Sequence, residues 1–166
     1  MIVLDTSVIS AFSEIGRFPL LKEILSRLCA KAIIPHTVEN EIIFPEAISA
    51  LKENGGWIDI KKAQDFEKYL FKLHDGEAGV IALAKEHGWI AALDDLDARK
   101  IAKKEYVKIT GTLGLLKMGY ELCPIKDKHE LRKIINELAG AGFFMAPDII
   151  EGILDTKKKP KGRGVD

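Results

Sequence analysis

Residues 76–95 read GEAGVIALAKEHGWIAALDD. Ala78, Val80, Ile81, Ala82 and Ala84 crowd the first half so densely that a helix here keeps little polar surface. Such a helix belongs at the centre of a domain. Gly88 suits the left-handed residue that closes a helix, and the WIAAL after it is a continuous apolar run. A strand buried on both faces reads that way. The run then stops on Asp94 and Asp95. Helix, stop, buried strand and acidic end together predict a layered α/β domain.

The same grammar extends in both directions. MIVL (1–4), AIIP (32–35) and VKIT (107–110) read as further buried strands, and WIDIK (57–61) as a minor one. Between them, helical spacing marks residues 6–16, 19–30, 63–73 and 96–105. Residues 36–56 read as one helix, disturbed near Pro45 and closed by Gly55 and Gly56. Three more helices are expected at 112–120, 127–142 and 147–155. The architecture predicted is three-layer α/β/α around a short central parallel sheet, with extra C-terminal helices. One domain over 1–155 is expected, followed by a flexible basic tail over 156–166 that includes Lys157 to Arg163.

Composition narrows the function. The 166 residues are 47% hydrophobic, enough for a core, and carry 25 basic and 25 acidic side chains. Zero net charge argues against a chain-wide grip on nucleic acid but leaves a local patch open. Cys29 and Cys123 have no partner at metal-ligand spacing and read as reduced core residues of a cytoplasmic protein. No apolar run reaches membrane-spanning length.

Parallel sheets bind ligands beyond the carboxyl ends of their strands. Asp5 closes the first strand, and Asp94 and Asp95 close another. Glu41, three residues past Val38, reads as the edge of a helix face, and Glu77 lies in the first turn of the central helix. Each acid alone is explained as a helix cap, a dipole partner or a solvated charge. Gathered in one crevice they would repel each other unless a cation were bound. All-oxygen donors favour Mg²⁺ or Mn²⁺ over zinc. Thr6 and Ser7 are expected to cap the helix, or to hydrogen-bond the acids or a phosphate. Arg99, one turn past Asp95, could hold Asp94 or a phosphate. Lys100 is a further candidate contact, whereas Lys103 and Lys104 read as a solvated face. His36 and His74 flank the acidic stretches, and Trp57 and Trp89 read as core.

The ordered set IVLDTSVI (2–9), IIPHTVENEI (33–42), DGEAGVIALAKEHG (75–88), LDDLDARKIA (93–102) and GTLGLLKMG (111–119) resembles the successive motifs of PIN-domain proteins. Residues 131–154 also resemble the C-terminal part of a prokaryotic subgroup found as toxins or orphan nucleases. The resemblance implies a metal-dependent ribonuclease of single-stranded RNA, with the toxin of a toxin–antitoxin pair as one role in that subgroup. By position, it implies a four-acid catalytic and metal site of Asp5, Glu41, Glu77 and Asp95. Many members have Asp at the position of Glu77 and Thr at that of Leu93. Since Leu93 supplies no hydroxyl, Asp94 or Asp97 stays open as a partner to the metal.

Two other readings compete. A catalytically weakened PIN-like domain would act as an RNA- or partner-binding module. A phosphatase of the haloacid-dehalogenase kind would need a second Asp where Ser7 stands. A small antitoxin is one expected partner and a homodimer another, with Phe12, Phe18 and Leu21 near the junction of the first two helices as the surface to inspect.

Overall fold

The computed structural model describes residues 1–39, 41–53 and 56–158. Five strands form one all-parallel sheet: β1 (Ile2–Leu4), β2 (Ala32–Pro35), β3 (Ile58–Lys61), β4 (Ile90–Ala92) and β5 (Lys108–Thr110), in the order β3-β2-β1-β4-β5. Every residue of β1 and β2 is buried, as continuous apolar runs require. IDIK (58–61) is the edge strand, registered on β2 from Ala32 opposite Ile58 to Pro35 opposite Lys61.

The helices are α1 (Thr6–Glu14), α2 (Phe18–Arg27), α3 (His36–Glu39), α4 (Pro45–Lys52), α5 (Asp75–His87), α6 (Leu96–Lys104), α7 (Thr112–Glu121), α8 (Lys128–Gly140) and α9 (Pro147–Leu154). The central helix α5 lies across β1, β2 and β4, flanked by α3 and α6; α1, α2 and α7 pack together as the other layer. Alanines at 91 and 92 in β4 and at 78, 82 and 84 in α5 are buried and small, which lets helix and sheet approach closely. The helix ends at Gly88, whose φ of +68° is the left-handed cap expected there. The α8–α9 extension is pinned back by Arg17, which donates to both oxygens of Glu137 at 2.6 and 3.0 Å.

Three expectations need correction. The helix predicted over 36–56 is two helices. Phe44 is extended (ψ 125°), as the residue before a proline prefers, and Pro45 opens α4 at its first turn. The predicted stop at Gly55 lies outside the described residues. The helix predicted over 63–73 shrinks to a 3₁₀ turn at Phe66–Tyr69. Only Ala63, Tyr69 and Leu73 of that stretch are buried, and they do not make a continuous helical stripe. Cys29 and Cys123 are not core residues: Cys29 is exposed and Cys123 half-buried. Each follows the last turn of a helix in the left-handed region, at φ 49° and 74°.

Phe12, Phe18 and Leu21 are all buried in the core, so their own side chains expose little surface at the junction of α1 and α2. The spacing that suggested a surface is the inward stripe of α1 and α2. Trp57 and Trp89 pack partly buried against the core, tilted on Phe18 and stacked on His87 respectively. Among the described residues no helix is long and apolar enough to cross a membrane. Of the tail, only residues up to Lys158 are described.

Candidate functional site

The chain winds from β1 to β2 and β3 on one side, then crosses back to add β4 and β5 on the other. The crossover point is the gap between β1 and β4, where a ligand crevice is expected. Leu4 sits opposite Ala92, and the Asp5 amide donates to the Ala92 carbonyl at 3.2 Å. Asp5 and the acids after β4 therefore stand at adjacent strand ends.

Asp5 is 6% exposed. Its Oδ2 accepts from the Ser7 amide at 3.2 Å and the Ser7 hydroxyl at 2.6 Å. Burial raises its pKa above the usual carboxylate value and Glu41 adds to the rise, against the hydrogen bonds from Ser7 and Thr6. Glu41 is not on a helix. It sits in the turn just past α3, its amide donating to the Val38 carbonyl at 3.0 Å. It accepts a hydrogen bond from the Thr6 hydroxyl. Its carboxylate also lies against Gly76 in the first turn of α5, where a Cβ would come within 3.2 Å of Oε2. So Thr6 and Ser7, side by side at the start of α1, each serve a different acid.

Glu77 is half-buried in the first turn of α5, and its Oε2 accepts from the His74 amide at 3.2 Å. Burial raises its pKa, and the charges of Asp95 and Asp5 raise it further. These influences tie the acids into one electrostatic cluster: Glu41 acts on Asp5, and Asp5 and Asp95 act on Glu77. The cluster is not a ready-made cage. Among the described residues no group of three or more His, Cys, Asp or Glu side chains could hold a metal ion as it stands.

Geometry separates the three aspartates after β4. Asp94 is tied down: Oδ1 accepts from the Thr112 amide at 2.8 Å and Oδ2 from its hydroxyl at 2.6 Å. It clamps the end of β4 to the start of α7. Asp97 faces solvent and pairs with Lys100 at 2.8 Å. Asp95 is exposed and uses Oδ1 alone to cap α6, accepting from the amides of Asp97 and Ala98, both at 2.8 Å. Its other oxygen has no hydrogen bond among the described residues.

Arg99 does not hold Asp94. Its Nη1 donates to the carbonyls of Leu93 at 2.7 Å and Thr110 at 2.8 Å, bridging the ends of β4 and β5. That gives Arg99 a structural task. His36 is likewise structural: its Nδ1 accepts from the Ala63 amide at 3.2 Å and its ring stands edge-on to Phe66. Leu93 is fully buried and brings no polar group to the site.

Gly111 makes the Asp94 clamp possible. A Cβ there would stand 2.6 Å from Asp94 Oδ1, 2.8 Å from the Leu93 carbonyl and 3.0 Å from Arg99 Nη1. Its backbone is extended, so close approach rather than a left-handed turn demands glycine. Gly111→Ala is expected to cost about 1–3 kcal/mol by overpacking. Urea denaturation reads this directly; an unchanged midpoint would mean the clamp can shift at no cost.

A parallel α/β/α sandwich with carboxylates at its switch point defines a class of ligand- or metal-binding domain whose chemistry sits at the strand ends. A family model described as DUF3368, a PIN domain, matches residues 1–159. The chain belongs to the PIN-domain family, a nuclease fold whose enzymes generally use divalent metal ions. No curated protein and no solved structure matches it.

Proposed function

We propose that this chain is a metal-dependent ribonuclease acting on single-stranded RNA, with Asp5, Glu41, Glu77 and Asp95 as its acids. The observation that carries the proposal is their convergence. Four separate segments (the ends of β1 and β4, the turn after α3 and the first turn of α5) carry acids that act on one another electrostatically beside the paired ends of β1 and β4. Burial chiefly raises the pKa values of Asp5 and Glu77, and the neighbouring carboxylates add to the rise. A cation would relieve both.

The donor set suits Mg²⁺ or Mn²⁺, being oxygen throughout. Asp5 and Asp95 would hold the ion, with Glu77 and Glu41 closing on it or orienting water. When bound, such an ion supplies a Lewis acid that activates water and offsets charge on the phosphate. Ser7 fixes the Asp5 carboxylate from one side, and Thr6 fixes Glu41. Asp95 is held by its cap with one oxygen left over. In the reaction a P–O bond forms to water as the bond to the leaving oxygen breaks.

The purified chain should cut an unstructured RNA oligonucleotide in Mg²⁺ or Mn²⁺, stop in EDTA and recover when Mn²⁺ is restored. Cleavage that ignores EDTA would overturn the metal-dependent reading. The binding-module reading draws on one observation, the absence of a tight metal-holding group among the described residues. RNA binding without cleavage in either metal would favour it. A toxin role requires an inhibitor, and growth arrest on expression that a co-expressed small neighbouring protein relieves would support that role.

A further inference from the structure

The C-terminal helices leave a cavity of about 620 Å³ between β5, the first turn of α7 and the connection from α8 to α9. Its walls are largely apolar: Ile109 from β5, Leu113 from α7 and Leu138 from α8 all line it. Phe144 stands at its edge on the α8–α9 connection and is 93% exposed. Across from that connection the lining continues into Asp95 and into Leu96, which is 71% exposed. One wall of the cavity is therefore part of the candidate acid site.

We infer that this cavity receives an unstacked nucleobase of the RNA strand beside the phosphate at the acids, with Phe144 as its stacking face. The inference rests on the ribonuclease reading. Its size falls within the range of about 300–1,000 Å³ seen for pockets that take small ring systems. Bases presented by single strands are bound by stacking on aromatic side chains. An exposed ring bordering an apolar cavity provides such a face, and nothing in the core of the fold requires Phe144 to be there. The cavity is also continuous with Asp95, so a strand whose phosphate lies at the acids passes its mouth.

Most polar groups of the wall are already engaged, and the free oxygen of Asp95 belongs to the acid site. Asp94 is bonded to Thr112, and Arg99 Nη1 to two carbonyls. Little is left to read base edges, so the site should accept any base with weak sequence preference. An apolar helix from another protein or a second copy of the chain would use the same concave surface; the nucleobase is favoured because the lining runs into Asp95 at the acid site.

The test uses the full chain carrying Asp5→Asn, so that RNA is bound and not cut. Affinity is measured in Mg²⁺ for a short single-stranded RNA and for the same strand with abasic residues. Phe144→Ala should weaken binding of the intact strand about tenfold, within the range for removing one stacking aromatic, and leave the abasic strand unchanged. Phe144→Tyr should bind like the parent, and Phe144→Trp should show fluorescence quenched by the intact strand alone. The exposed position predicts unchanged melting for all three variants. Equal loss on both strands, or no loss, would overturn the base site. So would a change from dimer to monomer with RNA affinity untouched, which would mark a self-association surface. If the wild-type chain cleaves in a metal- and Asp5-dependent way while Phe144→Ala binds normally, the base site falls and the ribonuclease reading stands. If the chain neither binds nor cuts RNA, both fall.

Discussion

Asp5→Asn is expected to abolish RNA cleavage and also to raise the melting temperature of the chain in EDTA at neutral pH. Both effects come from one buried charge. Burial and the neighbouring Glu41 lift the Asp5 pKa, so the folded chain binds that proton more tightly than the unfolded chain does. Stability from this group then falls as pH rises from the unfolded value through the folded one, so neutral pH lies on the costly side of the unfolded value. Asparagine removes the charge and keeps an oxygen that Ser7 can donate to. The melting gain should therefore shrink in acid, where wild-type Asp5 is protonated as well. Added Mn²⁺ should reverse the order, because the wild type alone gains the stabilisation of a bound ligand. Loss of a direct ligand should exceed the 10- to 100-fold typical of its supporting residues, so cleavage should fall more than about 100-fold. Thermal scans with EDTA and with Mn²⁺, beside a single-turnover cleavage assay, measure all of this. A lower melting temperature for Asp5→Asn in neutral EDTA would show that the Ser7 bonds outweigh burial, and persistent cleavage would remove Asp5 from the site.

The second large effect separates Asp95 from its neighbours. Asp95→Asn should lose cleavage by a similar factor yet melt like the wild type, because Asn caps a helix as well as Asp does and the two amide bonds at 2.8 Å survive. Asp94→Ala should do the reverse. It breaks both bonds to Thr112, and hydrogen bonds to a charged group are worth about 1.5–3 kcal/mol each. The folded fraction should nonetheless keep its activity. Asp97→Ala removes a solvent-exposed partner of Lys100 and should change neither quantity. Denaturation midpoints and single-turnover rates for the three variants place each residue on two axes. If Asp97→Ala lost the most cleavage, the fourth acid would lie two residues further along the chain than the geometry indicates.

Much of this was legible in the residues themselves. Continuous apolar runs such as AIIP and IVL announce strands buried on both faces, because burial on each side excludes polar residues from every position. The density of Ala, Val and Ile in α5 announces a central helix. Acids placed just past the strands announce a crevice, and the ordered motifs announce the family. These signals are local: each is carried by residues within one element, and periodicity records which face is buried.

What periodicity does not record is which elements are neighbours. Only the strand order puts β1 beside β4, and hence the strand ends of Asp5 and Asp95 side by side, although the two residues are 90 positions apart in the chain. Likewise, nothing near Glu41 shows that Thr6 bonds it, and nothing near Asp94 shows that Thr112 occupies both its oxygens. The resemblance named Asp95 by position and left Asp94 and Asp97 open; that both oxygens of Asp94 are taken depends on Thr112, a partner in a distant segment. The same holds for Arg99, directed to two backbone carbonyls, and for Phe12 and Phe18, whose apolar spacing suits a docking face as well as a core. Spacing along one helix marks a face as apolar; whether another helix of the same chain, a partner or a nucleobase covers that face is decided when the distant elements pack.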